Sequence, residues 1–129
     1  LSSPICKCLH LRKLHLSSNK ILSLPQKRFM AGLSHLEYLF LNNNCLTCKY
    51  LYFFFPFLTF LLTFFFKAIE NITSCSKLSN LEVEGNNLKE IPISIGYLKY
   101  LLNLNISKND IQFLPAEIGY SSKKTFFFT

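Results

Sequence analysis

A chain of 129 residues and 15.0 kDa has room for one modest domain. Its net charge of +7 and pI near 9.3 raise nucleic acid as a partner, but the basic residues are scattered and form neither a stripe nor a motif, which argues against one. Five cysteines, an odd number, point to a reducing compartment and hence a cytoplasmic location.

In chain order, one phrase keeps returning. Leu11, Leu14, Leu16, Asn19, Ile21, Leu24 and Pro25 state it first, and Leu36, Leu39, Leu41, Asn44 and Leu46 repeat it. Leu78, Leu81, Val83, Asn86, Leu88, Ile91 and Pro92 give it a third time. Leu101, Leu104, Ile106, Asn109, Ile111, Leu114 and Pro115 give a fourth. The repeat length is 23 from Asn86 to Asn109 and 25 from Asn19 to Asn44. Clear repeats therefore cover 8–32, 33–46, 75–97 and 98–119 within a single unit, 1–129, that starts at Leu1 and reads as a fragment.

Neither a helical period of 3.6 nor a strand period of 2 fits the whole phrase. The alternating pair (Leu104 and Ile106, for example) suits a short strand with both side chains pointing inward. One such unit cannot bury its apolar face alone, so successive units must stack into a solenoid. An Asn closing each strand has an amide able to satisfy backbone groups at the turn, which assigns Asn19, Asn44, Asn86 and Asn109 a structural part. Pro25, Pro92 and Pro115 stop the strand from continuing. The segments after them are expected to return along the outer face as helical turns, with Ile95, Leu98 and Ile118 facing inward.

The pattern resembles the leucine-rich repeat, L-x-x-L-x-L-x-x-N-x-L-x-x-L-P, in its 23-residue form. The linking segments 91–98 and 114–119 look like the intracellular class found in Ras-pathway scaffolds. The resemblance implies an α/β leucine-rich-repeat solenoid, with short parallel strands on the concave face and turns or short helices on the convex face. It also implies a non-enzymatic protein-interaction module, an intracellular signalling scaffold whose partner is another protein, such as a small-GTPase pathway component.

Residues 47–74 fit this pattern badly. Between Lys49 and Lys67 the chain carries no charge, and eight of the residues from Tyr50 to Phe66 are Phe. Three readings stand. As a membrane helix the segment spans roughly 25 Å at 1.5 Å per residue, against an apolar bilayer core of about 30 Å, and would make the protein membrane-anchored. As a degenerate repeat it places Leu62, Phe64, Ile69 and Ile72 at apolar positions, with Lys67 where Asn is expected. As translated non-coding sequence it has no selected structure, and Phe126-Phe127-Phe128 has the same look. A misfitting joint is expected to uncouple 1–46 from 75–129 and leave the chain poorly soluble. Residues 120–129 are expected to form a tail.

The outward strand positions would line the concave face and are free to meet a partner. They are Lys13, His15 and Ser17; Tyr38, Phe40 and Asn42; Asn80, Glu82 and Glu84; and Asn103, Asn105 and Ser107. Tyr38 and Phe40 are aromatics of the kind enriched in binding hot spots. An enzyme is hard to build here. His15 and Ser17 share a strand face but lack an orienting carboxylate and oxyanion donors. Cys45-Leu-Thr-Cys48 has no second pair at zinc-site spacing, so neither metal nor cofactor is expected. The sequons at Asn71 and Asn105 read as accidental.

Overall fold

Two inward leucines with outward neighbours make a three-residue strand, and five of these pair into one parallel sheet in sequence order. The computed structural model describes residues 7–47, 69–120 and 125–127. The strands are β1 (Lys13–His15), β2 (Tyr38–Phe40), β3 (Asn80–Glu82), β4 (Asn103–Asn105) and β5 (Thr125–Phe127). Their central residues stand in one row, Leu14, Leu39, Leu81, Leu104 and Phe126. Parallel pairing of successive strands requires a crossover each time, and each crossover here is one coil of a solenoid.

The outer side of each coil is a single turn of helix. It is α1 (Lys27–Met30), continued as a 3-10 turn through Ala31–Leu33, in the first coil. In later coils it is a 3-10 turn at Glu70–Ser74, Ile93–Tyr97 or Ala116–Tyr120. Pro92 and Pro115 lead into two of these turns, and their carbonyls accept from the N–H of Ile95 and Ile118. Ile72, Ile95 and Ile118 are the inward residues of successive turns and all three are buried.

Between the strand row and the turn row lies one continuous core running from Leu24 to Ile118. Leu36, Leu39, Leu41, Leu78, Leu81, Val83, Leu101 and Leu104 are all at most 1 % exposed. Burying a leucine to this degree contributes about 1.5–3 kcal/mol, and each is covered by the coils on either side. Gly96 lets two turns approach closely: a Cβ there would sit 2.5 Å from the Glu117 carbonyl oxygen.

Three expectations need correcting. No strand stands between β2 and β3; Leu39 pairs in register with Leu81 although they are 42 residues apart. The next pair, Leu81 and Leu104, is 23 apart. Residues 47–74 therefore do not form a degenerate repeat with its own strand. The 19 extra residues (42 − 23 = 19) fall within one crossover. Its described ends both belong to the coil: Thr47 bridges to Asn87, and Ile69 and Ile72 are buried.

For the same reason the two sides are not uncoupled, because β2–β3 pairing and a shared core join 7–47 to 69–120. The membrane-helix reading concerns Tyr50–Phe66, which lies outside the described residues; among the described residues no helix is long and apolar enough to cross a membrane. Thirdly, the supposed tail supplies β5. Phe126, 22 residues beyond Leu104, takes the central leucine position and packs half-buried against the core. A phenyl ring satisfies that position as an apolar group, which the leucine pattern alone does not reveal.

Candidate functional site

The turn asparagines hold the coils to one another and thereby set the spacing of the concave face. Asn86, 5 % exposed, accepts from the Leu46 N–H through Oδ1 at 3.0 Å. Its Nδ2 donates to the carbonyls of Leu41, Val83 and Glu84. Asn44 does the same one coil earlier, accepting from Ile21 and donating to Leu16, Leu41 and Asn42. Asn109 does so one coil later, accepting from Leu88 and donating to Val83, Ile106 and Ser107. Asn19 lies on the edge coil, is exposed, and donates only within its own turn, to Leu16 and Ser17.

Immediately before each asparagine the backbone passes through left-handed conformation, with φ of 58° at Ser18, 54° at Asn43, 64° at Gly85 and 53° at Lys108. Such a φ costs a non-glycine residue about 1–2 kcal/mol. Only the Gly85 position is filled by glycine, and a Cβ there would collide with the Asn43 side chain.

With the strands held this way, their outward residues form three rows. Lys13, Tyr38, Asn80, Asn103 and Thr125 stand in register, and so do His15, Phe40, Glu82, Asn105 and Phe127. Ser17, Asn42, Glu84 and Ser107 follow at the strand ends, tied by backbone hydrogen bonds between neighbouring coils such as Gly85 N–H to the Ser107 carbonyl. All ten candidate partner-binding residues (Lys13, His15, Tyr38, Phe40, Asn42, Glu82, Glu84, Asn103, Asn105 and Ser107) are thus brought to one surface. Sequence reasoning overlooked Lys108, Thr125 and Phe127. Counting one repeat on from Leu104 would have found the last two.

This surface has two chemically distinct halves. Over β1 and β2 it is aromatic and cationic: the His15 and Phe40 rings stack at 4.1 Å with 3° between their planes. The Lys13 ammonium lies 5.3 Å from the Phe40 centroid and 5.9 Å from that of Tyr38, within cation–π range. His15 is therefore engaged as a stacking partner, not arranged as a base for Ser17. Over β3 and β4 the surface is carboxylate and amide. Asn42 Nδ2 donates to Glu82 at 2.7 Å while its Oδ1 accepts from the Glu84 N–H. Glu84 accepts from Lys108 Nζ at 2.7 Å and from Asn105 Nδ2 at 3.0 Å. These two donors, Lys108 first, hold the Glu84 carboxyl below its ordinary value, and Glu84 in turn holds Lys108 above its own.

Nothing in this arrangement resembles a reaction centre, and among the described residues no group of three or more His, Cys, Asp or Glu could hold a metal ion. What it offers is an open, curved, side-chain-rich surface. The family model described as "Leucine rich repeat" matches residues 10–57. Among solved structures, a leucine-rich-repeat protein of Leptospira interrogans is similar over 99 % of this chain and 28 % of its own, at 29 % identity and a TM-score of 0.71. An internalin of Listeria monocytogenes shares the fold over 98 % of this chain and 37 % of its own, at 20 % identity and a TM-score of 0.52. No curated protein matches the sequence. Coil, asparagine ladder and comparisons agree that the chain is built of leucine-rich repeats and belongs to that family. It spans little more than a quarter of the length of the leptospiral protein.

Proposed function

We propose that the chain is a non-enzymatic protein-interaction module that binds its partner through the concave strand face. The observation that carries this reading is the aromatic cluster of Tyr38, Phe40 and His15. It lies on a sheet face whose side chains have no packing duty, since the core is on the opposite side. Tyr38 is 37 % exposed where the inward residues of the same strands are buried, and exposed aromatics fixed on short strands suit a binding hot spot. A place in an intracellular signalling scaffold, with a small-GTPase pathway component as partner, is the finer form of the proposal. It is supported by the resemblance of segments 91–98 and 114–119 to that class of repeat. A cytoplasmic location is supported by the odd cysteine count.

The test is affinity capture followed by identification of what is retained, with three forms of the chain. Tyr38→Ala combined with Phe40→Ala is expected to lose the partner while circular dichroism is unchanged. Tyr97→Ala combined with Tyr100→Ala, which alters exposed residues outside the concave strands, is expected to keep it. The opposite pattern would move the binding surface off the concave face.

A further inference from the structure

Glu82 and Glu84 are neighbours on one strand face, yet they are treated differently. Glu84 is satisfied from within, by the Lys108 ammonium and the Asn105 amide. Glu82 accepts one hydrogen bond, from Asn42 to Oε2, and among the described residues no cation pairs with it. Beside it, in register on β2, is Phe40. His15 on β1 stacks flat against one face of the Phe40 ring, so the opposite face is turned toward β3 and Glu82. A half-buried carboxylate with an oxygen to spare thus stands next to an aromatic face.

This pairing has a specific complement. A guanidinium group is planar, stacks on aromatic rings and donates in a fork that fits a carboxylate; an ammonium does the second only as a point charge. Resting on the concave-face reading above, we infer that this face receives an arginine side chain of a protein partner, stacked on Phe40 and donating to Glu82. Lys13 lies over the β1 side of the same aromatic cluster, so it sets a polarity along the bound segment. A positive side chain is accepted at β3 and disfavoured at β1, where an acidic one is favoured.

The probe is N-acetyl-arginine amide, titrated into the isotopically labelled chain while the Glu82 side-chain carboxyl and Phe40 ring resonances are followed by NMR. The arginine probe is expected to shift both sets, with N-acetyl-lysine amide giving a weaker response and N-acetyl-glutamate amide none at Glu82. Glu82→Gln, isosteric and still able to accept from Asn42, is expected to weaken arginine binding at least threefold. Phe40→Leu is expected to reduce the preference for arginine over lysine. Equal responses to arginine and glutamate, no titration at all, or a Glu82→Gln chain that titrates like the wild type would overturn the assignment. These failures are separable from failure of the broader reading. A partner lost on Tyr38→Ala with Phe40→Ala but kept by Glu82→Gln removes the arginine and leaves the concave face in place.

Discussion

Asn86 and Asn19 occupy the same place in their repeats, but one sits in a middle coil and the other on the sheet edge. Asn86 is buried and bonds to backbone groups of two coils, whereas Asn19 is exposed and bonds only within its own turn. Half of what holds a residue in a solenoid comes from the adjacent coil. A repeat position therefore has no fixed energetic worth; its worth depends on whether a neighbour is stacked against it.

The sharpest way to break this comparison is to remove both amides in turn. Asn86→Ala leaves the Leu46 N–H and the Leu41 and Val83 carbonyls without their partner, at about 1–3 kcal/mol for each buried group left unpaired. A loss of about 3 kcal/mol or more in urea unfolding is expected, against less than about 1 kcal/mol for Asn19→Ala. Equal losses would show that the ladder does not carry stability between coils.

A second contrast concerns two glycines in successive outer turns. Gly96→Ala places its methyl against the Glu117 backbone, while a Cβ on Gly119 meets nothing within 4 Å. The first is expected to cost about 2 kcal/mol by overpacking and the second much less, both read from the urea midpoint. Smaller still is Ser18→Gly in the edge coil. It relieves a left-handed φ of 58° but makes the unfolded chain more flexible, so a net gain of about 0.5 kcal/mol is expected.

The smallest effect belongs to the Glu84–Lys108 pair, which is exposed to solvent and screened by salt. Because Glu84 is held below its ordinary value, its contribution is present above the usual carboxylate range and lost as pH falls through the lowered value. Lys108 is held above its own ordinary value, so its contribution is present below that range and lost as pH rises through the raised one. The stability difference between wild type and Lys108→Asn should therefore persist near neutrality and vanish in acid. A difference unchanged in acid would assign it to the left-handed turn instead of to the charge pair.

Much of this architecture was legible in the sequence, since an aliphatic row that must be buried and an Asn that must satisfy a turn leave few alternatives. The strand residues, the concave-face rows and the four ladder asparagines follow from spacing alone. Other features do not. That Asn42 links Glu82 to Glu84, or that His15 lies flat on Phe40, depends on side-chain torsions that no repeat pattern specifies. The position of β5 was hidden because Phe126 replaces the leucine on which the count relies. The joint after β2 was misjudged by counting 23 residues on from Asn44. The next strand begins where the coil closes, and a crossover can absorb extra chain without moving it.

That last point has a practical side. From Thr47 to Ile69 the route is longer than any other crossover, yet strand pairing on both sides keeps its register. Stacking depends on where a connection leaves and rejoins, not on how far it travels between, because lengthening a loop adds only a slowly growing closure entropy. This junction is accordingly the natural place to graft an epitope, a reporter or a second binding peptide, carried on the outer flank while the inner surface stays intact.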